Sequence, residues 1–296
     1  MAKFVRSIAG LAVIAAGVGW VLTGPAPLDA AFVDIPQGDL AAGQQVFAAG
    51  GCASCHAAPG AEGDAKLVLA GGTAFPSEFG TFYAPNISPD PEAGIGAWSF
   101  EEFALALTQG VSPQGKHYYP AFPYTAYSQM QPTDVADLFA YISQLPSDGT
   151  ASKKHDVGFP FNIRRAVGGW KLLYMPSDFV ISGDLDPEVA RGRYLVEALA
   201  HCGECHTPRS ALGGLKRGQW LAGAPNPSGK GKIPNITPAE HKWSADELVT
   251  YFTSGFTPEY DSAGGEMAEV VSNLAQLPDA DRAAIAAYIK ALPTSD

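Results

Sequence analysis

The chain has 296 residues, of which 46% are hydrophobic and 17% charged, a composition typical of a folded globular protein and not of a disordered one. A chain of this length accommodates two domains of about 100–130 residues each. The net charge of −11 excludes nucleic acid as an expected partner, because a phosphate backbone needs a basic protein surface.

The N-terminal segment, residues 1–30, is predicted to be a membrane anchor. Lys3 and Arg6 precede a mostly apolar, uncharged run over residues 7–23, about the length that a hydrocarbon core requires. The preceding positive charges predict a single-pass helix in the cell inner membrane, with the rest of the chain on the periplasmic side. The alternative is a cleaved signal peptide, but its cleavage site would place Leu28 where a small residue is expected.

The stretch GGCASCH contains Cys52, Cys55 and His56 in the spacing C-x-x-C-H. This spacing is the attachment signature of c-type haem, in which two sulfurs bond covalently to the macrocycle and the histidine ligates the iron. A thioredoxin-like redox pair, a structural zinc site and a disulfide also use paired cysteines. The redox pair has no need of the histidine, a structural zinc site would need further ligands nearby, and a disulfide would tolerate many other spacings.

The same pattern recurs 150 residues later, as Cys202, Cys205 and His206. The 4 cysteines of the two motifs are all the cysteines of the chain, so none is left for a separate disulfide. A zinc site made from the two pairs would leave both histidines unexplained. Two covalently bound haem c groups are therefore predicted, one at each motif.

Internal repeats predict that the chain contains a duplicated domain. GQQVFAAGGCASCH matches GRYLVEALAHCGECH, PNISPDPEAGIGAWSFEEF matches PNITPAEHKWSADEL, and TDVADLFAYISQLP matches DADRAAIAAYIKALP, in the same order. We expect a first domain over residues 31–146 and a second over residues 186–296. Residues 147–185 match neither half, and their aromatic content predicts an ordered connecting strap.

Each half is predicted to consist of helices joined by loops, so the expected fold class is all-α. Ser99 and Ser244 are each followed within three residues by two acidic residues, as a helix N-cap is. Apolar residues at helical spacing predict terminal helices over residues 133–145 and 279–292. No alternating run is long enough for a substantial sheet.

These motifs, together with HYYPAFPYTAYSQM, NIRR and CHTPR, resemble the di-haem cytochrome c family. Its relatives include the multi-haem cytochrome subunits of membrane-bound alcohol and gluconate dehydrogenases. The resemblance covers nearly everything after residue 38 and implies two tandem class I cytochrome c domains. It also implies electron transfer, with a dehydrogenase, a quinol–cytochrome c reductase or a terminal oxidase as redox partners. Those subunits typically carry three haem domains and this chain has two, so the partner's identity does not transfer.

A haem iron with one histidine needs a sixth ligand, and methionine at that position gives the electron-transfer type. Met267 lies where a class I cytochrome c presents its methionine, so we assign it to the second haem. The same count in the first half leads to a loop where relatives can carry a methionine and this chain has Phe122. Met130, at a place where related sequences also show a methionine, is the predicted ligand of the first haem. The alternatives are His117 and Met175.

The groups around the ligands are predicted from the matched segments. Pro85 and Pro234 are candidates for the carbonyl that orients each histidine, as is common in c-type domains, or they merely turn the chain. Three arginines either pair with haem propionates or are solvated: Arg164, Arg165 and Arg209.

Three classes of function fit two haem motifs: an electron carrier, a di-haem enzyme and a sensor. A peroxidase needs an open coordination site, which a methionine available to each haem disfavours. Thiosulfate-oxidising di-haem enzymes can use a cysteine as axial ligand, and here every cysteine belongs to a motif. A sensor needs one site and usually an output domain. We therefore predict an electron-transfer protein that is not itself an enzyme.

Overall fold

The structure is a computed structural model that describes residues 2–227 and 231–293. It begins with helix α1 (Ala2–Leu22). Within the described residues, no helix combines the length and the apolar character that a membrane crossing requires. The membrane-spanning helix expected from the sequence therefore stays a prediction. Met1 of that expected segment and residues 294–296 of the expected second domain lie outside the described residues.

The two halves of the chain contain helices in the same order. The first half has α2 (Leu40–Ala49), α3 (Cys52–His56), α4 (Phe100–Gln109), α5 (Tyr124–Tyr127) and α6 (Pro132–Ile142). The connecting segment contains α7 (Ala166–Tyr174). The second half has α8 (Pro187–Tyr194), α9 (Gly203–His206), α10 (Ala245–Ser254), α11 (Glu266–Leu274) and α12 (Asp279–Ala291). The fold is predominantly helical, as predicted.

Each half also carries one small antiparallel hairpin. In the first half β1 (Ala74–Ser77) pairs with β2 (Gly80–Tyr83), and in the second β3 (Ala224–Pro225) pairs with β4 (Lys232–Ile233). Both hairpins lie between the haem motif and the third helix of their half. The described residues also form three short 3₁₀ turns: Ala30–Phe32, Gly63–Leu67 and Arg217–Gln219.

The predicted helix starts at Ser99 and Ser244 are confirmed as capping boxes. The Ser99 hydroxyl accepts from the Glu102 amide at 3.2 Å, and the Glu102 carboxylate accepts from the Ser99 amide at 2.9 Å. Ser244 and Glu247 exchange the same two bonds at 3.2 and 2.7 Å. The repeat therefore extends to the individual hydrogen bonds that start α4 and α10.

A glycine sets the crossing of the first and last helices in each half. A Cβ added at Gly43 in α2 would lie 2.0 Å from the carbonyl oxygen of Asp137 in α6. A Cβ added at Gly192 in α8 would lie 1.9 Å from the carbonyl oxygen of Ala284 in α12. Only glycine allows such close helices, and the crossing fixes where the chain enters each haem motif.

The second half has one more residue than the first between this crossing and the haem motif. Gly43 precedes Cys52 by 9 positions, whereas Gly192 precedes Cys202 by 10. A π-helical turn over Leu195–Leu199 follows α8 without interruption. A π-turn is the usual way to accommodate one inserted residue in a helix. The insertion therefore leaves the helix crossing of the second half intact.

The segment over residues 147–185 packs against both halves. The backbones of Asp156 and Thr81 exchange hydrogen bonds of 2.8 and 2.9 Å next to the first hairpin. The indole of Trp170 donates to the carbonyl of Leu212 in the second half at 2.8 Å. One contiguous cluster of buried side chains also includes residues of both halves. The two halves and the connecting segment thus share a packed core.

Candidate haem sites and the interface between them

The first C-x-x-C-H motif forms helix α3, so Cys52, Cys55 and His56 lie within a single short turn. Both cysteines are half-buried and neither forms a disulfide. Burial raises the pKa of Cys52 to about 12 and that of Cys55 to about 11. Both groups are therefore thiols at neutral pH, the form that adds to a haem vinyl group.

The second motif has the same local structure around α9. Cys202 is half-buried and Cys205 exposed, and neither is in a disulfide. Burial raises the pKa of Cys202 to about 12 and also raises the pKa of Cys205. Among the described residues, no cluster of three or more His, Cys, Asp or Glu side chains is arranged to hold a metal ion, as a zinc site would need.

The two motif histidines are held in the same orientation. His56 Nδ1 donates to the carbonyl oxygen of Pro85 at 2.8 Å, and His206 Nδ1 donates to that of Pro234 at 2.9 Å. Burial lowers the pKa of both rings, which are therefore neutral at pH 7. With the proton on Nδ1, the lone pair is on Nε2, the nitrogen that can ligate a metal. Neither Nε2 has a hydrogen-bond partner among the described residues.

Buried polar atoms without partners provide a further test of whether haem fits these sites. Arg164 Nη1, on a guanidinium 4.3 Å above the Tyr119 ring, is buried with no hydrogen bond to any described residue. In the second half, His241 Nδ1 is also buried with no hydrogen bond to any described residue, and the His241 and Trp243 ring centroids are 4.5 Å apart. Haem carries two carboxylates, which satisfy such groups. The thiols, the oriented imidazoles and these unpaired atoms together fit haem c.

The other two arginines singled out in the sequence have protein partners. Arg209 is exposed and pairs with the Glu204 carboxylate at 2.5 Å. Arg165 donates to the carbonyl of Trp20 and stacks 4.1 Å from that ring, at the end of α1. His241 was not singled out in the sequence, since an isolated histidine in a loop carries no motif.

The methionines differ between the halves. The residue 12 positions after Gly255, which ends α10, is Met267, in the first turn of α11 and half-buried against the core. The residue 12 positions after Gly110, which ends α4, is Phe122. Met130 lies further along, 5% exposed in the core. The structure therefore has an aromatic side chain in the first half where the second half has a methionine.

His117 is engaged through both ring nitrogens. Its Nε2 lies 3.0 Å from the carbonyl oxygen of Thr23, and its Nδ1 lies 3.2 Å from Nζ of Lys171. Lys171 also donates to the carbonyl oxygen of Gly110 at 2.9 Å, and burial lowers its pKa to about 7. His117 thus serves to connect α1 and α7 to the first half. Met175, the other alternative, follows α7 and lines a cavity between the halves.

Each half makes a hydrogen bond to the haem motif of the other. Asn273 in α11 donates to the Ser54 hydroxyl of the first motif at 2.8 Å. Thr125 in α5 donates to the Glu204 carboxylate of the second motif at 2.9 Å. Ser54 and Glu204 are both the third residue of their motif. The two motifs therefore face each other across the interface between the halves.

Comparison with known proteins agrees with this geometry. The family model for cytochrome c matches residues 40–146 and 189–293, so the chain belongs to the cytochrome c family. A diheme cytochrome c-type protein of Cereibacter sphaeroides is 55% identical over 287 residues, which cover 96% of this chain and 97% of that protein.

Subunits of dehydrogenases are also similar. The fructose dehydrogenase cytochrome subunit of Gluconobacter japonicus is 38% identical over 86% of this chain. The cytochrome c subunit of the quinone alcohol dehydrogenase of Gluconacetobacter polyoxogenes is 35% identical over 85% of this chain. The alignments cover 52% and 55% of these two relatives, so the chain spans about half of their length.

The chain is a di-haem cytochrome c that carries two covalently bound haem c groups and transfers electrons. The prediction of a carrier and not an enzyme is confirmed, since these relatives are cytochrome subunits of dehydrogenases. Each bound haem supplies an iron that accepts and releases one electron. The protein's part is to attach and orient the two haems.

Proposed function

We propose that this cytochrome transfers electrons from a periplasmic or membrane-bound dehydrogenase, or from a quinol oxidoreductase, towards the respiratory chain or a terminal oxidase. The observation that carries this proposal is the similarity of 85–86% of the chain to cytochrome subunits of fructose and quinone alcohol dehydrogenases. The net charge of −11 adds to it, because an acidic surface steers a redox partner that has a basic docking face.

In the proposed sites, two cysteines form the thioether bonds, a histidine is the first axial ligand, and a proline carbonyl orients that histidine. The hydrogen bonds from Nδ1 to the proline carbonyls support this assignment, because they fix each ring with Nε2 free. The residues are Cys52, Cys55, His56 and Pro85 in the first half, and Cys202, Cys205, His206 and Pro234 in the second.

The proposed sixth ligands are Met267 for the second haem and Met130 for the first. The position of Met267 at the start of α11, half-buried against the core, supports its role. The hydrogen bonds of His117, the main alternative ligand, support Met130, because both ring nitrogens of His117 already have partners. Methionine at both irons would suit an electron carrier, because a thioether raises the potential of haem.

We further propose that residues 1–30 anchor the protein in the cell inner membrane and that the haem domains, residues 31–146 and 186–296, lie on the periplasmic side with the strap 147–185 between them. The 21 residues of α1 give a helix about 30 Å long. Its exposed large apolar side chains are Phe4, Val13, Ile14, Val18, Trp20, Val21 and Leu22, of which Trp20 also contacts Arg165. A lipid environment would cover them.

Extraction of the native protein tests the anchor. We expect detergent, but not high salt, to release it from membranes. A matched variant, in which a cleavable signal replaces residues 1–28, should be soluble and carry its full haem. A native protein whose N-terminus starts near Ala31 would instead support a cleaved signal peptide.

Reduction of the haems in isolated membranes tests the proposed function. Substrates of the host's periplasmic dehydrogenases should reduce the cytochrome, and blocking the terminal oxidase should keep it reduced. A variant that lacks the cysteines of both motifs should abolish this electron flow without removing the dehydrogenase. Rapid turnover of peroxide or thiosulfate by the purified cytochrome, without reduction by any dehydrogenase, would contradict the proposal.

A further inference from the structure

The residue that precedes the first cysteine of each motif has a left-handed backbone in both halves. It is Gly51 in the first half, with φ of 60°, and His201 in the second, with φ of 41°. Glycine adopts this conformation readily, but any residue with a Cβ is strained there. A strained residue persists only where its surroundings hold it, and such residues concentrate at functional sites.

The side chain of His201 explains why the strain is tolerated. Its Nε2 lies 3.2 Å from the carbonyl oxygen of Gly50, which belongs to the other half of the chain. A carbonyl only accepts, so His201 is the donor. The ring also packs edge-on against Tyr127, with centroids 5.6 Å apart. The Tyr127 hydroxyl donates to the same Gly50 carbonyl at 3.3 Å.

This hydrogen bond joins the two segments that lead into the haem motifs. Gly50 precedes Cys52 by two residues, and His201 is bonded directly to Cys202. One chain of bonds between the two motifs therefore runs from Cys52 through Gly51 to the Gly50 carbonyl, crosses a single hydrogen bond, and continues through His201 to Cys202. The bonds from Asn273 to Ser54 and from Thr125 to Glu204 hold the same two motifs together.

We infer that His201 is a positioning residue for electron exchange between the two haems. Its hydrogen bond to the Gly50 carbonyl holds together the two segments that lead into the motifs, and bound haems would then exchange an electron directly between the halves. One iron loses the electron and is oxidised, the other gains it and is reduced, and no proton moves. This inference depends on the two bound haems and not on the proposed partner or membrane anchor.

Three substitutions in the full-length haem-loaded protein test the inference. His201→Gly and His201→Asn suit the left-handed backbone but cannot reach Gly50, whereas the longer amide of His201→Gln can donate to it. After rapid injection of one electron, we expect inter-haem equilibration to slow severalfold in the first two variants and to recover in His201→Gln. The split Soret circular dichroism of neighbouring haems should weaken and recover in parallel.

The control is Tyr260→Gly. Tyr260 is also left-handed, with φ of 64°, but is 97% exposed and away from the interface, so this variant relieves strain alone. It should leave the rate and the dichroism unchanged. Haem content and both potentials should be unchanged in the His201 variants. The inference would be overturned if His201→Gly and His201→Asn kept the wild-type inter-haem rate, or if His201→Gln did not restore that rate. It would also be overturned if shifted haem potentials explained the slowing.

Discussion

The hydroxyl of Tyr288 in α12 donates a 2.6 Å hydrogen bond to the buried carboxylate of Glu197 in the π-turn. The same hydroxyl accepts from the indole of Trp220 at 3.0 Å. Glu197 also accepts from the amides of Val180 and Ile181, at the end of the connecting segment. Burial raises the pKa of Glu197. One buried carboxylate thus joins the terminal helix, the inserted turn and the strap.

Replacement of Tyr288 by Phe should destabilise the second half. The change removes a donor from Glu197 and an acceptor from Trp220, and an unsatisfied buried polar group costs about 1–3 kcal/mol. Tyr141→Phe is the matched control, because Tyr141 has the equivalent place in α6 and its hydroxyl bonds to no described residue. The control should change the free energy of unfolding by less than about 0.5 kcal/mol. Urea unfolding followed by circular dichroism gives the free energy of unfolding of both variants. Equal losses of stability in Tyr288→Phe and Tyr141→Phe would contradict the prediction.

The sequence was sufficient for features that depend on local chemistry. The capping boxes at Ser99 and Ser244 and the duplicated motifs could be predicted, because each needs particular residues at a fixed short spacing. The burial of Glu197 could not be predicted. The matched segments differ by one residue there, but only packing shows that a π-turn absorbs the difference and turns a charged side chain inward.

The contacts between the halves could not be predicted from the sequence either. The strap matches neither half, so nothing in the repeat indicated that Lys171 would meet His117. The exchange of Gly51 for His201 was visible in the aligned motifs. The role of His201 could be inferred only from its backbone angle and from its distance to the Gly50 carbonyl.

The buried amine of Lys171 should make stability depend on pH. Burial lowers its pKa from 10.5 to about 7 in the folded protein. Between these values the unfolded chain binds a proton that the folded chain has released, so the stability of the folded state rises with pH in this window. The melting temperature of the wild type minus that of Lys171→Met should therefore increase from pH 7 to about pH 10.

Lys116→Met, at an exposed lysine, controls for the loss of one surface charge. Thermal scans at several pH values give the melting temperatures of the wild type and of both lysine variants. A difference between wild type and Lys171→Met that stays constant or shrinks as the pH rises would show that the amine is protonated in the folded protein throughout.

Substitution of the proposed sixth ligands should move one potential at a time. Imidazole favours ferrous iron less than a thioether does, so Met267→His should lower the potential of the second haem only. Met130→His should do the same to the first haem. Spectroelectrochemical titration gives both potentials, and the weak far-red band of ferric haem ligated by histidine and methionine should lose half of its intensity in each variant.

Met175→His is the control for these two variants, because Met175 belongs to the strap and should leave both potentials unchanged. If Met130→His leaves the band and both potentials unchanged, Met130 is a packing residue only. A shift of the first potential in Met175→His, or in a His117→Ala variant, would move the assignment to that residue.

The number of haems that remain bound after denaturation shows whether each half of the chain attaches one haem. A pyridine haemochrome assay on the denatured protein should give two haems per chain. The double variant Cys52→Ala and Cys55→Ala should keep one haem, and Cys202→Ala with Cys205→Ala should keep the other. A wild-type protein with one covalent haem or none, or the loss of both haems from either double variant, would show that the chain does not have two independent haem-binding halves.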